Sequence, residues 1–425
     1  MSRHRATDRN ESVWVLSELY HPELTSTGHY MTLIAERLAR HRRVRALCGQ
    51  PTYGAHGRRA PTREVRNGVS ITRCRATAFH KDRFVGRVLN AVTLTVSIFL
   101  SAVLRVRRGD LVIVVTNPPS LPFVAALACR ARGARLVVLI HDRYPELLVA
   151  VGALPASSPV VRLAGSAQRW LLRGAFGVVV IGRDVKDAVV DLGVPADRVE
   201  VITNWADVAQ VVPVAASNSA LRQELGLVDR PVAVYAGNFG RANDVDSLVD
   251  AAGHLGLTTE IAVVLIGDGP RRRWVERQRD ELSLTNLRVA GPFPRADQSD
   301  LLAVGDVVVI PMVAGITGVS VPSRMYNAFA AGKPVIAAIE PESELARTIV
   351  EEGVGWVVPT GNASLLASTI ASALAGGELE AMGLRARDLA VRRFAVDIVL
   401  DRWNEYVVSL DAMRRTPRSP GSWPR

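Results

Sequence analysis

The first half of the chain alternates short apolar runs with longer stretches whose apolar residues recur at helical spacing. Residues 13–16 form a purely apolar run, which is typical of a strand buried on both faces. A helix is predicted next, because Tyr30, Leu33, Ile34 and Leu38 fall on one face. A strand at residues 44–47 completes a parallel βαβ unit. The same order recurs, with strands predicted at 111–115, 136–140, 178–181 and 199–202 and helices at 122–132 and 184–192.

A second series of strands and helices follows residues 206–219, whose Ala, Val, Ser and Pro composition predicts an interdomain linker. Its predicted strands are 232–235, 262–266, 287–290, 307–310, 335–338 and 355–358, with helices between them. The pattern therefore predicts an α/β fold with two doubly wound parallel sheets and a ligand cleft at the carboxyl ends of their strands. Residues 394–413 have the pattern of a final helix.

One apolar segment, residues 88–104, has no charged residue and is bordered by arginines at 83, 87, 105, 107 and 108. Three interpretations remain open. The first is a membrane-spanning helix, but such a helix needs about 20 apolar residues, and this segment is shorter and contains Asn and Thr. A buried core helix is the second interpretation. The third is a helix at a membrane interface, with the arginines facing anionic head groups.

The charge balance points to anionic partners. The 425 residues carry a formal net charge of +11, which favours diphosphates or acidic lipid surfaces. Nucleic acid is not expected, because aromatic residues make up only 5 % and are not interleaved with basic clusters. The cysteines are three, an odd number, and form no C-x-x-C pair, so neither a zinc site nor a disulfide framework is expected. Residues 1–11 lack an apolar signal core, which favours a cytoplasmic location.

Two loops carry the chemistry that suits a diphosphate. Residues 235–241 leave a strand through a glycine turn and bring Arg241 to its carboxyl end, where an arginine can pair with phosphate oxygens in a fork. In residues 314–323, Gly318, Val319 and Ser320 precede a helix that Pro322 and Ser323 begin. The loop amides and this helix start are predicted to cradle an anion.

Three further residues at predicted strand or helix ends are candidates. Arg324 lies in the first turn of a helix, where a cation opposes the dipole unless an anion is nearby. His141 follows the strand at 136–140 and can exchange hydrogen bonds with a sugar hydroxyl, the alternative being a structural histidine. Gly28 ends the first loop before a helix, where it serves a phosphate or only a tight turn.

A metal site is not expected. Asp244 and Asp246 have the spacing of an aspartate pair that binds metal diphosphates, but they sit at a helix start, where aspartate caps free amides. Motifs for a zinc protease, a serine nucleophile elbow and a Walker loop are all missing.

In order and spacing, seven segments resemble the GT-B glycosyltransferases of family 4, and within it the colanic acid and O-antigen transferases. These segments are residues 20–28, 117–119, 141–146, 203–207, 235–240, 267–270 and 321–327. The resemblance covers about residues 13–410. It implies two Rossmann-like domains, an N-terminal acceptor domain at 12–205 and a C-terminal donor domain at 220–390, with a helix at 391–413 that crosses back to the first.

The resemblance also implies the activity and its participants. It implies a UDP- or GDP-linked sugar as donor, no cofactor or metal, and retention of anomeric configuration. The acceptor implied is a lipid-linked sugar or glycan, which fits an enzyme peripheral to the inner face of the plasma membrane through residues 88–104.

Site residues follow from the resemblance position by position. His141 and Arg241 are placed at the transferred sugar and the diphosphate, and Glu23 and Thr27 on the acceptor side. The residues implied in donor binding are Gly28, Asn238, Gly291, Phe293, Gly318, Val319, Ser320, Pro322, Ser323, Arg324, Asn327 and Glu344.

The chain departs from the family pattern at three positions. Val319 and Asn327 stand where the family has two glutamates, so the ribose contact is expected from Asn327 or Glu344. Asn238 stands where an arginine is usual, and Arg241 is the inferred replacement. The alternatives from other function classes are a GT-B sugar-nucleotide epimerase and a non-catalytic subunit that binds nucleotide sugars.

Overall fold

The structure is a computed structural model, and it describes residues 11–23, 25–51, 59–77, 79, 84–256 and 259–415. These residues form two α/β units, each with a sheet that is parallel apart from one antiparallel edge pair in the first, in agreement with the two doubly wound sheets that the sequence predicts. The three cysteines are buried and free, in agreement with the expected lack of disulfides.

The first sheet has eight strands in the order β3-β4-β2-β1-β5-β6-β7-β8. Its pairs are parallel except β3 with β4, which is antiparallel. The strands are β1 Val13–Ser17, β2 Val44–Cys48, β3 Arg63–Arg66, β4 Val69–Arg73, β5 Leu111–Val115, β6 Arg135–Ile140, β7 Gly177–Val180 and β8 Val199–Val201. β1 and β5 are buried along their whole length, which explains their apolar sequences.

Six helices accompany this sheet: α1 Ser26–Ala39, α2 Phe84–Arg105, α3 Leu121–Arg132, α4 Glu146–Ala150, α5 Pro159–Gly174 and α6 Arg183–Asp191. The predicted apolar face of α1 is confirmed, since Tyr30, Ile34 and Leu38 are buried against the sheet.

Helix α2 contains the apolar segment and is neither fully buried nor detached from the domain. Leu94, Ile98 and Ala102 are in the core, where α2 packs against α3 and β2. The opposite face is exposed, and only 22 % of the window Val88–Arg105 is buried. Its exposed apolar side chains are Val85, Val88, Leu89, Val92, Val96, Leu100 and Leu104. The interpretation as an ordinary buried core helix is therefore wrong for this face.

The second sheet has six parallel strands in the order β11-β10-β9-β12-β13-β14. The strands are β9 Val232–Ala236, β10 Ala262–Ile266, β11 Leu287–Ala290, β12 Val307–Pro311, β13 Val335–Ala338 and β14 Gly355–Val358. The accompanying helices are α7 Ala220–Glu224, α8 Val245–Gly256, α9 Arg272–Glu281, α10 Gln298–Ala303, α11 Arg324–Ala330, α12 Glu344–Glu352 and α13 Ala363–Ala375.

Two helices end the described chain, α14 Leu379–Arg393 and α15 Val396–Arg415. α15 packs on α1 of the first sheet, and Arg37 binds Asp397 and, at 2.8 Å, Asp401. The chain thus returns to the N-terminal half after completing the second sheet.

The predicted linker is irregular apart from a single 3₁₀ turn at Ala216–Asn218. It is held by Arg387 of α14, which donates to the carbonyl oxygens of Val208 and Val211, both at 2.8 Å.

Candidate active site

The loop of residues 312–323, which follows β12, crosses to the first domain and lies against the end of β6. Ser320 Oγ donates to Asp142 Oδ1 at 2.5 Å. The Arg143 amide donates to the Val319 carbonyl at 2.9 Å, and Arg143 Nη1 donates to the Gly318 carbonyl at 2.8 Å. The carboxyl ends of β6 and β12 therefore meet at one junction, as expected for a ligand cleft in doubly wound folds.

A second contact between the domains involves the start of α6. The Gly318 amide donates to Asp184 Oδ2 at 3.0 Å. Glu344, which is only 1 % exposed, accepts from the Arg183 amide at 2.7 Å and from Arg183 Nε at 2.9 Å. Burial raises the pKa of the Asp184 carboxyl, and the hydrogen bonds from Gly318 and Val185 act in the opposite direction.

These contacts correct the expected role of the loop amides. The amides of Val319 and Ser320 donate to the Ile316 carbonyl at 3.0 and 3.2 Å, and the Gly318 amide is used by Asp184. None of the three is directed at a ligand. The Val321 amide belongs to the antiparallel bridge between Asp142 and Ser320, so of the amides at the helix start only that of Ser323 has no acceptor among the described residues.

Arg324 forms the centre of a polar cluster at the carboxyl end of β9. Its guanidinium carbon lies 4.5 Å from the centroid of the Tyr235 ring, and its Nη2 donates to Asn243 Oδ1 at 2.8 Å. Its Nη1 is buried and has no hydrogen-bond partner among the described residues. A side chain at Gly237 would place a Cβ 2.9 Å from the guanidinium carbon, so glycine is needed for this approach. A buried cationic donor with no acceptor suits an incoming anion.

The loop after β9 carries three residues that bear on this cluster. Asn243 Nδ2 donates to the Asn238 carbonyl at 2.9 Å, and the Tyr235 hydroxyl donates to the same oxygen at 2.6 Å. The side chains of Asn238 and Arg241 are exposed. No contact among the described residues joins Arg241 to Arg324, so the cluster centres on Arg324 and not on Arg241.

His141 follows β6 and is adjacent to Asp142, which contacts Ser320. Its ring packs edge-on against Tyr30, with 5.9 Å between centroids. Its Nε2 is buried and has no partner among the described residues. Burial lowers the pKa of His141 to about 4, so the imidazole is neutral at pH 7. A neutral ring with a free nitrogen can hydrogen-bond a sugar hydroxyl.

The start of α1 brings the expected acceptor-side residues to the same domain edge. Glu23 is buried, and Thr27 is half-buried. A Cβ at Gly28 would lie 3.2 Å from the Glu23 carbonyl oxygen, so Gly28 lets the loop pack against the helix. Gly28 lies in the first turn of α1 and not in the loop before it, so the tight-turn interpretation is wrong, and this close packing accounts for the glycine.

Gly291 and Phe293, which are expected in donor binding, follow the end of β11. Arg272 Nη1 holds the carbonyl oxygens of Gly267 at 2.7 Å and Gly291 at 2.6 Å. Gly291 has φ +86°, a left-handed conformation that favours glycine. The Phe293 side chain is 38 % exposed beside it, as a ring that stacks on a ligand must be.

The two candidates for the ribose contact differ in their surroundings. Both Glu344 oxygens already accept protein donors, Oε2 from Arg183 and Oε1 from Thr348 at 3.2 Å. The half-buried side chain of Asn327, on α11, has no partner among the described residues. The geometry therefore leaves Asn327 as the residue with free hydrogen-bonding groups.

The aspartate pair has a structural role. Asp244 Oδ1 accepts from the Ser247 amide at 3.1 Å at the start of α8, and Asp246 pairs with Arg271. The described residues contain no group of three side chains that could ligate a metal. The capping interpretation is confirmed.

Sequence reasoning missed two residues of the polar cluster, Tyr235 and Asn243. Both lie within or close to residues 235–241, Tyr235 near the end of β9 and Asn243 two positions before α8. Their polarity at the carboxyl end of a parallel strand was the available signal.

Comparison with known proteins identifies both halves of the chain. The family model of the glycosyl transferase 4-like domain matches residues 26–205, and that of the glycosyl transferases group 1 matches residues 217–387. The chain is 29 % identical over 324 residues to the probable glycosyltransferase WbjE of Pseudomonas aeruginosa, covering 76 % of this chain and 80 % of that one.

Two further similarities support the same assignment. The putative colanic acid biosynthesis glycosyl transferase WcaI of Escherichia coli K12 is 26 % identical over 343 residues, 77 % of this chain and 83 % of that one. Anabaena HepE, solved in complex with UDP and glucose, has the same fold, with a TM-score of 0.71 and 18 % identity over 94 % of this chain and 100 % of that one.

Proposed function

Because the chain belongs to the GT-B glycosyltransferases of family 4, we propose that it is a retaining sugar transferase acting in cell-surface polysaccharide or glycolipid biosynthesis. Its donor is a nucleoside diphosphate sugar, and its acceptor is a lipid-linked sugar or glycan. The structure of HepE with UDP and glucose supports the donor class.

The single observation that carries the proposal is the unsatisfied Nη1 of Arg324. A buried donor left without an acceptor costs about 1–3 kcal/mol, and a phosphate oxygen would remove that cost. Asn243 and Tyr235 hold the guanidinium in place before any ligand arrives. Donors fixed in advance stabilise charge that develops on a leaving group, and this is often the largest catalytic effect.

The reaction then needs few protein groups. The acceptor oxygen forms its bond to the anomeric carbon on the face from which the diphosphate oxygen departs. The acceptor proton passes to the departing phosphate. Arg324 and the amide of Ser323 stabilise the negative charge on that phosphate, and His141 Nε2 hydrogen-bonds the transferred sugar. We expect no divalent ion, because Asp244 and Asp246 are already engaged.

The membrane surface is proposed as the place of action, on the evidence of α2. Its exposed apolar face borders exposed Arg107, Arg108 and Arg132 at its C-terminal end. Apolar side chains together with arginines fit a bilayer that contains anionic lipids. Such contact would bring a lipid-linked acceptor to the enzyme.

Turnover tests the proposal against its alternatives. The purified chain is first screened by thermal shift against UDP- and GDP-sugars, since a ligand of the folded state raises the melting temperature. The donor found is then incubated with membrane lipid extract, with EDTA present throughout. Sugar transfer to lipid supports the proposal. Sugar-nucleotide isomerisation without acceptor would indicate an epimerase, and binding without turnover a non-catalytic subunit.

A further inference from the structure

A groove that the residues of the Arg324 cluster do not line lies beside residues 314–319. It is an open groove between α4, α5 and that segment, and it has a volume of about 970 Å³. Ligand pockets are commonly about 300–1,000 Å³, so the groove is large enough for a small organic ligand. Arg324, Tyr235 and Asn243 are not among its lining residues.

One face of α5 forms a basic wall of the groove. Arg162, Gly165, Ser166 and Arg169 recur at helical spacing and line it together. Neither arginine has a carboxylate partner among the described residues, although Arg169 Nη2 donates to Ser166 Oγ at 3.1 Å. A Cβ at Gly165 would meet no atom within 4 Å, so the space in front of the helix is open.

A third arginine, Arg143, is built into the opposite wall. It is only 7 % exposed, its Nη1 donates to the Gly318 carbonyl, and its Nη2 donates to Glu146 at 2.9 Å. Its Nε is buried without a partner among the described residues. Three arginines and one glutamate leave a formal charge of +2 in the groove.

Apolar residues complete the lining and border the groove. Val149, Ala150 and Val161 line it, and on α5 the side chains of Val160 and Leu163 are exposed. α5 packs against α3, which packs against α2. The helix that forms one wall of the groove is therefore linked to α2 through α3.

We propose that this groove binds the diphosphate group of the acceptor. The inference rests on the proposed function, because it assigns a subsite to the acceptor of the same reaction. Paired guanidinium groups match the charge and the geometry of diphosphate oxygens. The apolar residues at the groove suit the first carbons of a lipid chain attached to that diphosphate. The donor and acceptor diphosphates would then occupy separate sites, one at Arg324 and one in the groove beside residues 314–319.

Calorimetric titration with inorganic pyrophosphate at about 0.1 M salt tests the assignment. Wild type is expected to show two binding sites. Arg162→Gln with Arg169→Gln should weaken one of them at least tenfold and leave the other unchanged. Gly165→Phe, which fills the groove without altering charge, should weaken the same site. Arg324→Ala should remove only the other site.

A matched control removes the same charge elsewhere. Arg273→Gln with Arg277→Gln, both exposed on α9, should leave both sites as in wild type. The groove assignment is overturned if the Arg162/Arg169 variant and the Gly165 variant titrate like wild type. The proposed function survives that result if Arg324→Ala still loses its site, and it fails separately if Arg324→Ala binds normally.

A parallel titration with geranyl diphosphate distinguishes a lipid headgroup from a free phosphate. Binding in the groove at least tenfold tighter than pyrophosphate supports a lipid-borne diphosphate. Equal affinity in the groove supports a diphosphate that reaches it free in solution. Binding of geranyl diphosphate that the groove variants do not weaken contradicts the assignment.

Discussion

Replacing Arg324 with alanine is the most direct perturbation of the proposed chemistry. Arg324 is held by Asn243 at 2.8 Å and by the Tyr235 ring at 4.5 Å, while its Nη1 has no partner among the described residues. A side chain so fixed needs no reorganisation when the leaving diphosphate gains charge. Its removal should therefore reduce the rate of the chemical step more than it reduces donor binding.

The expected magnitude follows from comparable donors at developing charges. Loss of one preorganised donor costs about 10²–10³-fold in kcat, or about 2.7–4 kcal/mol. The stability loss should be smaller, because a cation–π contact is worth about 0.5–2 kcal/mol. Arg324→Lys keeps the charge but loses the planar fork, so its rate should lie between those of wild type and Arg324→Ala.

The assay measures release of the nucleoside diphosphate from the donor that thermal shift identifies, with melting curves for every variant. Arg277→Ala, an exposed arginine of the same domain, serves as the matched control and should retain wild-type kcat. An Arg324→Ala enzyme that is folded and within twofold of wild-type kcat would refute the assignment. Arg241, which the sequence places at the diphosphate but which no described contact joins to Arg324, belongs in the same series. A loss of about 10²-fold in kcat for Arg241→Ala would add Arg241 to the scheme, and unaltered kinetics would leave it outside.

Three further predictions concern ribose recognition, pH and the membrane. Asn327→Ala should raise the donor KM about fivefold, because one hydrogen bond to the ribose is lost. Glu344→Gln should lower the melting temperature and leave the donor KM unchanged, because Glu344 binds Arg183. If Glu344→Gln raises the donor KM and Asn327→Ala does not, the ribose contact is assigned to Glu344. The pKa of His141 is about 4 in the folded chain and 6.5 in the unfolded chain, so as the pH falls the unfolded chain takes up this proton first and the free energy of unfolding decreases between those two values. In urea melts, the free energy of unfolding of His141→Asn should therefore decrease less than that of wild type between pH 7 and 4.5. Equal decreases would contradict the burial assigned to His141. Val96→Glu with Leu100→Glu should leave the fold intact but reduce flotation with phosphatidylglycerol vesicles about 100-fold or more, and unchanged flotation would exclude α2 as the contact.

Most of the strands that the sequence predicted correctly are buried on both faces and have a strong apolar signal, although β8, β11 and β14 were predicted as well and are only partly buried. β3 and β4 were missed, because β3 lies at the sheet edge with half of its residues exposed. Their turn did carry a signal, since Asn67 and Gly68 both have positive φ, 44° and 82°, as an Asn-Gly hairpin requires. A hairpin at a sheet edge is therefore better predicted from the residues of its turn than from the hydrophobic periodicity of its strands.

The candidate site was less predictable, because its decisive contacts join distant segments. The motif around residues 318–324 was identified from its glycines and its helix start, but the acceptors of its amides were not. Gly318 is 134 residues from Asp184, and Arg324 is 81 residues from Asn243. A local sequence pattern does not show which loop amides donate to acceptors elsewhere in the protein. The glycine-rich loop therefore predicted more free backbone amides for an anion than the structure leaves.

These long-range contacts give one loop two tasks. Ser320 binds Asp142, the neighbour of His141, and Arg324 follows only four residues later. His141, proposed to bind the sugar, and Arg324, proposed to bind the diphosphate, are therefore connected through residues 320–324 and the Ser320–Asp142 hydrogen bond. Opening of the domains must break the Ser320–Asp142 contact, and it would separate His141 from Arg324 in the same movement. Catalytic geometry and domain closure thus depend on the same residues, and a variant such as Ser320→Ala, which touches neither reacting group, should lower kcat by loosening both.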